Sequence, residues 1–273
     1  RTITAVSDPE EALAGATTVV LAVPAQQLRA NLERWQVPTD AFLVSLAKGV
    51  EVGTLLTMSQ VIEQTGVSRD RILVVSGPNL ADEIAAKQPA TTVVAGHDAE
   101  AAEAFGQRCR TAYFRPYVST DVIGCEIAGA TKNAIALAVG MGIGRGFGAN
   151  SMASLVTRGL AETSRLGESL GADPHTFAGL AGMGDLVATC MSPLSRNRTF
   201  GEHLGRGLTV QEAAEASRGI AEGVRSSASI LALAERQGVE MPIVERVVRV
   251  LAGEVEPEES IRSLMARETK PER

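Results

Sequence analysis

The feature that most restricts the fold of this chain is a change of period near residue 119. Before it, short apolar runs rich in β-branched residues alternate with helical patterns, and residues 17–23, 42–47, 71–76 and 91–95 read as strands. These runs are apolar almost without interruption. Strands read this way when helices cover both faces of a parallel sheet, whereas a half-exposed antiparallel sheet alternates polar and apolar. Ser7-Asp8-Pro9-Glu10 has the chemistry of a capping box with an early proline and opens a helix to about Ala14; a second helix is expected over 54–64. A last run, 113–118, contains Pro116, whose missing N–H confines it to an edge or connecting strand. Beyond Thr120 the strands stop. Helices separated by glycines are expected over about 121–140, 151–170, 174–181, 197–205, 210–216, 222–237 and 242–252, with a tail from Glu254 that frays after a last short helix. The sequence thus predicts α/β architecture: a doubly wound parallel sheet over 1–118, then an all-α domain over 119–273.

Composition narrows the function. A chain of 273 residues that is 45% hydrophobic and 21% charged is long enough to bury two cores. Its net charge of −6, with no block of Lys and Arg, provides no electrostatic footprint for nucleic acid or an anionic membrane. Cys109, Cys125 and Cys190 are odd in number and far apart, so neither a disulfide framework nor a zinc site is expected, and a reducing cytoplasmic compartment fits. His97, His175 and His203 lack ligand spacing, so no metal is expected. The most apolar stretch, 127–141, is broken by Lys132, Asn133 and glycines, short of the ~18 apolar residues of a membrane span. The opening Arg1-Thr2-Ile3-Thr4 does not have the apolar core of a signal peptide.

Lys132 is the first candidate for chemistry. Helical spacing places Ala128, Ile135 and Ala136 on its side of a helix whose other faces are also small or apolar. A desolvated ammonium has a lowered pKa, which suits a general acid and base at a hydroxyl or carbonyl; a structurally paired lysine is the equal alternative. Gly182-Met183-Gly184-Asp185-Leu186 delivers an aspartate to a helix start, where an N-cap is its default role. In Ser192-Pro193-Leu194-Ser195-Arg196-Asn197-Arg198 a hydroxyl and a guanidinium stand at the mouth of a helix, an arrangement suited to phosphate, against the commoner reading of a solvated polar loop. Three further loops follow strands: 22–26 with Pro24, 47–51 with Lys48, and 76–81 with Gly77, Asn79 and Ala81. Ligands of open α/β sheets bind at the carboxyl ends of strands, so these loops are expected to converge on one crevice.

Leu46-Ala47-Lys48-Gly49, Ser76-Gly77-Pro78-Asn79-Leu80-Ala81, Ala128-Gly129-Ala130-Thr131-Lys132-Asn133, Gly146-Phe147-Gly148-Ala149-Asn150, Gly182-Met183-Gly184-Asp185-Leu186 and Ser195-Arg196-Asn197-Arg198, in this order, closely resemble the bacterial NAD(P)-dependent glycerol-3-phosphate dehydrogenase family. The resemblance covers nearly the whole chain. It implies a Rossmann-like dinucleotide-binding domain joined to a helical substrate domain, a homodimer, and interconversion of dihydroxyacetone phosphate and glycerol 3-phosphate with NAD(P)H, for phospholipid synthesis. It further implies that Lys132 donates and accepts the proton at the substrate oxygen, that Lys48 touches substrate and cofactor, and that Asp185 and Thr189 orient lysine and substrate. By the same resemblance Gly77, Asn79 and Asn133 contact substrate, and Ser195, Arg196 and Asn197 hold its phosphate. Pro24, Ala81, Arg196, Ile220 and Glu222 contact the cofactor. Asn79 stands where many relatives carry a hydroxyl, and Ala221 where a valine is expected.

The family's G-x-G-x-x-[GA] turn is not found before residue 17, and the glycines at 140, 142 and 144 follow no strand, so the dinucleotide-binding domain reads as truncated. The expectation is that the natural protein is longer and that these 273 residues alone bind nicotinamide poorly, because pyrophosphate rests on amides in that turn. Two alternatives accompany the reading: a related dehydrogenase of a hydroxy acid, and a non-catalytic glycerol 3-phosphate-binding protein.

Overall fold

A computed structural model describes residues 3–217, 219 and 221–266. The strands are β1 (Thr18–Leu21), β2 (Phe42–Ser45), β3 (Ile72–Ser76), β4 (Ala90–Gly96) and β5 (Phe114–Ser119). The helices interleaved with them are α1 (Pro9–Leu13), α2 (Leu28–Arg34), α3 (Met58–Gln64), α4 (Ala81–Ala85) and α5 (Ala99–Cys109). Every later element among the described residues is helical: α6 (Val122–Gly144), α7 (Ala149–Ser169), α8 (Pro174–Ala178), a π-turn (Leu180–Gly184), α9 (Asp185–Met191), α10 (Arg196–Gly205), α11 (Val210–Ala216), α12 (Glu222–Arg236), α13 (Pro242–Leu251) and α14 (Pro257–Met265).

The sheet order is β1-β2-β3-β4-β5. The first three strands are parallel and wound with helices, as expected, with Leu43 opposite Ile72 in register. Leu21, Leu43 and Ile72 pack under α2 and α3 on one face, while Val44, Leu73 and Val94 pack with Ala102 of α5 on the other. The sheet is not parallel throughout, however: β4 runs antiparallel to β3, and β5 is parallel to β4. The connection from Ser76 contains only a loop and the five-residue α4, so the chain stays at the carboxyl end of β3 and re-enters the sheet from there. Pro116 lies in β5 at the sheet edge, where its missing N–H is tolerated.

Local chemistry moves some boundaries. Asp8, not Ser7, caps α1, its carboxylate accepting the Glu10 N–H at 3.0 Å. The helix expected from residue 54 starts at Met58, because Thr57 is its N-cap and Gln60 reaches back to the Thr57 N–H at 3.0 Å. The helix expected over 174–181 stops at Ala178, and the π-turn follows.

The helical part is built around α6. Nineteen of its 23 residues are buried, and although its length and composition would let it cross a membrane, it is enclosed by other helices of this chain. It crosses α10 at backbone contact distance: a Cβ on Gly140 would lie 2.1 Å from the Arg198 carbonyl oxygen, and one on Gly201 would lie 2.2 Å from that of Leu137. The glycines near 140 thus serve helix packing. Leu137, Met141, Phe200 and Leu204 seal the crossing, each contributing about 1.5–3 kcal/mol by burial.

Candidate active site

The carboxyl ends of β2 and β3 face the middle of α6 and the start of α9. Lys132, only 9% exposed, comes from α6 and donates from Nζ to Asp185 Oδ1. Lys48, in the loop after β2, donates to Asp185 Oδ2 at 3.1 Å and to Ser76 Oγ at 3.0 Å. Thr189, one turn beyond Asp185, donates to its Oδ1 at 3.4 Å. One buried carboxylate therefore holds two ammonium groups carried by different parts of the fold.

Asp185 is not the helix cap that its Gly-x-Gly setting suggests. The π-turn runs directly into α9, Gly184 is the capping residue, and the Asp185 side chain turns to the lysines. π-Turns inside helical segments often mark functional positions, and this one immediately precedes the buried Asp185. Gly129 leaves little room at the crossing: a Cβ there would lie 3.0 Å from Ser76 Oγ and 3.5 Å from Lys48 Cγ, where the lysine stem lies against α6.

Burial, reinforced by the charge of Lys48, pushes the Lys132 ammonium down to about 8 against the pull of Asp185. Burial alone would raise Asp185, but the charges of Lys48 and Lys132 and their hydrogen bonds override it and hold the carboxyl below its usual value. Cys190, beside this cluster, and Cys125 are both pushed up to about 12 by burial and stay protonated, so neither is an activated nucleophile.

A second cluster starts from the next residue of α6, Asn133. Asn197 Nδ2 donates to Asn133 Oδ1 at 2.9 Å, and Asn197 Oδ1 accepts the Gly223 N–H at 2.8 Å, joining α10, α6 and α12. Ser195 is the N-cap of α10, its hydroxyl accepting the Arg198 N–H at 3.2 Å, and Arg196 is the helix's first residue. Glu222 opens α12 with its Oε1 buried and unpartnered. Burial raises its carboxyl, partly offset by the backbone of Ala25 and by Arg225 and Arg196. Pro24 caps the short turn that Ala25 begins, and a Cβ on Gly49 would lie 3.8 Å from Glu222 Oε1. An unpartnered buried acceptor beside the loops of β1 and β2 fits a hydroxyl-rich cofactor such as a dinucleotide.

Other expected residues lie nearby but make protein contacts. Gly77 has φ 146°, which L side chains rarely adopt, and a Cβ on it would lie 3.1 Å from Thr92 Cα, so the backbone itself favours glycine here. Asn79 turns toward β4, donating to Thr92 Oγ1 at 2.7 Å with Oδ1 buried and unpartnered. Ala81 is the first residue of α4. Ile220 lies outside the described residues.

Sequence reasoning passed over Ser76 and Glu126. Ser76 stood in a quoted motif, but its contact with Lys48 depends on β3 and the Lys48 loop being neighbours. Glu126 was legible by the criterion that selected Lys132, a charge on a helix apolar all round.

Comparisons with known proteins agree with this geometry. Models of the NAD-dependent glycerol-3-phosphate dehydrogenase N-terminus and C-terminus match residues 1–102 and 121–262. A protein of Frankia casuarinae named glycerol-3-phosphate dehydrogenase (NAD(P)+) is 63% identical over 273 residues, 99% of this chain and 81% of its own length. One of the same name from Thermobifida fusca is 57% identical over 274 residues, 99% of this chain and 82% of its own. A crystal structure of glycerol-3-phosphate dehydrogenase from Coxiella burnetii superimposes with a TM-score of 0.91 at 33% identity, covering 95% of this chain and 80% of that one. Two matched halves and identity of this degree along almost the whole length lead to one conclusion: the chain belongs to the NAD(P)-dependent glycerol-3-phosphate dehydrogenase family.

Proposed function

We propose that this chain interconverts dihydroxyacetone phosphate and sn-glycerol 3-phosphate, with Lys132 as the general acid and base, and so supplies glycerol 3-phosphate for phospholipid synthesis. The observation that carries this reading is the single carboxylate of Asp185 shared by Lys132 and Lys48 at the strand ends. When bound, NAD(P)H supplies the hydride for the central carbon. With a pKa of about 8, Lys132 is mostly protonated at neutral pH yet gives up its proton readily, so it can protonate the ketone oxygen and retrieve the proton in the reverse direction. Asp185 aims Lys132 and stabilises its charged form, while Lys48 adds positive charge beside the oxygen where negative charge develops. Two cations and one anion leave the cluster with a net positive charge, which attracts a phosphorylated substrate.

Ser195, Arg196 and Asn197 at the start of α10 would hold the phosphate end, Thr189 with Asp185 would orient lysine and substrate, and Gly77, Asn79 and Asn133 would contact the substrate. Pro24, Lys48, Ala81, Arg196, Ile220 and Glu222 would hold the cofactor. In this reading residues 1–118 carry the cofactor and 119–273 the substrate. The enzyme works as a cytoplasmic homodimer, with neither nucleic acid nor membrane as partner.

The full-length protein should oxidise NADH or NADPH when given dihydroxyacetone phosphate. At saturating cofactor, Arg196→Ala should raise KM for this substrate at least about tenfold, the scale of one charge-assisted contact, and leave KM for a non-phosphorylated analogue unaffected. Equal effects on both would favour a hydroxy-acid dehydrogenase. Binding of glycerol 3-phosphate without any turnover would favour a binding protein.

A further inference from the structure

Glu126 is a buried carboxylate that the mechanism does not use. It lies on α6 six residues before Lys132 and is 6% exposed. Its side chain leaves the helical part and grips the N-terminus of α3: Oε1 accepts the Ser59 N–H at 2.7 Å, and Oε2 accepts the hydroxyls of Thr57, at 2.7 Å, and of Ser59. Burial raises this carboxyl above its usual value, opposed by the hydrogen bonds of Ser59 and Thr57, and three donors converging on one buried carboxyl make a directional attachment.

That attachment falls at the far end of the segment that begins with Lys48. Between Lys48 and Thr57 the chain is non-helical, and Leu55 takes a left-handed φ of 59°. Its middle is tied down as well. The Val50 carbonyl accepts Gln26 Nε2 at 2.9 Å and Ser229 Oγ at 2.8 Å, and Gln26 Oε1 accepts the Val52 N–H at 2.9 Å. Glu51 pairs with Arg29 at 2.8 Å. The lysine end meets Ser76 and Asp185, and the helix end meets Glu126. The two lysines of the site are thus connected twice: directly through Asp185, and indirectly through this loop, α3 and Glu126 back to the helix that carries Lys132.

We propose that Glu126 is a positioning residue that sets the placement of Lys48 relative to Lys132 by clamping α3 to α6. The proposal rests on the roles given to the two lysines above. Loss of the clamp lets the loop carry Lys48 away from Asp185. Lys132 is faced by Lys48, Asp185 and the Cys190 thiol, and Lys48 is the group that repels its charged form. Withdrawal of Lys48 therefore raises the Lys132 pKa, a change that a purely structural cap would not produce.

The test uses the full-length enzyme with Glu126→Ala and Glu126→Gln. Glu126→Ala is expected to lower kcat by about tenfold to a hundredfold, since a 1 Å misplacement costs on the order of 10²-fold. It should also move the Lys132 titration in the kcat/KM profile to higher pH. Competitive acetylation of Lys132, followed by mass spectrometry across pH, should show the same upward shift without any cofactor. Glu126→Gln still accepts the Ser59 N–H and can donate to a hydroxyl oxygen, so it should restore most of both. If Glu126→Ala does not fold, Ser59→Ala combined with Thr57→Val should shift the same titration in the same direction by less. A variant that melts earlier yet keeps its kcat and its Lys132 titration overturns the clamp. Normal turnover in Lys132→Ala would instead overturn the lysine roles themselves.

Discussion

Two buried ionisable sites lie on neighbouring helices, and the fold treats them differently. On α6, Lys132 meets charges, those of Asp185 and Lys48. On α7, Glu162 is 2% exposed and meets backbone: it accepts the Ile243 N–H at 2.9 and 3.1 Å and the Val244 N–H at 3.5 Å. These amides open α13, whose first residue is Pro242 and whose N-cap Met241 has no oxygen to offer, so a carboxylate from another helix caps it. Burial pushes both groups toward their neutral forms, Lys132 down to about 8 and Glu162 up to about 7. The amides of a helix end, with the weaker pull of Arg165 and Arg158, hold this carboxyl without a direct ion pair. Direct ion partners appear at Lys132, the group proposed to carry the proton.

Removing Lys132 breaks the comparison most severely. Lys132→Ala should lower turnover by about 10²- to 10⁴-fold, the worth of a general acid, with the fold intact because Lys48 still balances Asp185; NADPH oxidation and circular dichroism check the two halves of this statement. The partners of Lys132 then sharpen the electrostatic argument, because they act on it in opposite senses. Lys48→Ala should move the Lys132 limb of the kcat/KM profile to higher pH, and Asp185→Asn should move it to lower pH. Shifts of the same sign would show that the charges around Lys132 do not control it. Each change should also cost about tenfold or more in kcat through lost positioning.

Stability provides the smallest and most selective test. Lys132 titrates lower folded than the usual 10.5, so its burial penalty is present below about pH 8 and is relieved as pH rises toward 10.5. Glu162 is the mirror case. Its folded value of about 7 exceeds the ordinary 4.5, so the stability it contributes is full below pH 4.5 and is lost as pH rises through 7. The window corresponds to about 3 kcal/mol at most. Glu162→Gln should remove that dependence, so the Tm of the variant should gain on that of the parent between pH 5 and pH 8 in calorimetric scans. Parallel Tm curves would mean that Glu162 does not titrate there.

Much of this was legible in the sequence because it is local. Near-continuous apolar runs marked β1 to β4 as strands, and Pro116 marked β5 as an edge; the cover expected on both faces fails for β1, the other edge, where Val20 is exposed. The short, apolar residues around Lys132 marked α6 as buried on every side, and with it the lysine. The order of the motifs pointed to the family. None of these readings needed to know which segment lies beside which.

Partner choice and direction needed the folded chain. Whether β4 runs with or against β3 depends on where the loop after Ser76 leaves the sheet, and periodicity is the same either way. Asp185 looked like a helix cap because its neighbours in sequence allow one; the π-turn before it and the two lysines, 53 and 137 residues away, turned it into a shared counter-ion. Ser76, Glu126 and Glu162 owe their roles to contacts that span 28 to 82 residues. Backbone periodicity encodes what each segment is, since it follows from neighbouring side chains. Which buried charge faces which follows from packing, where a desolvated group must find its partner across the fold.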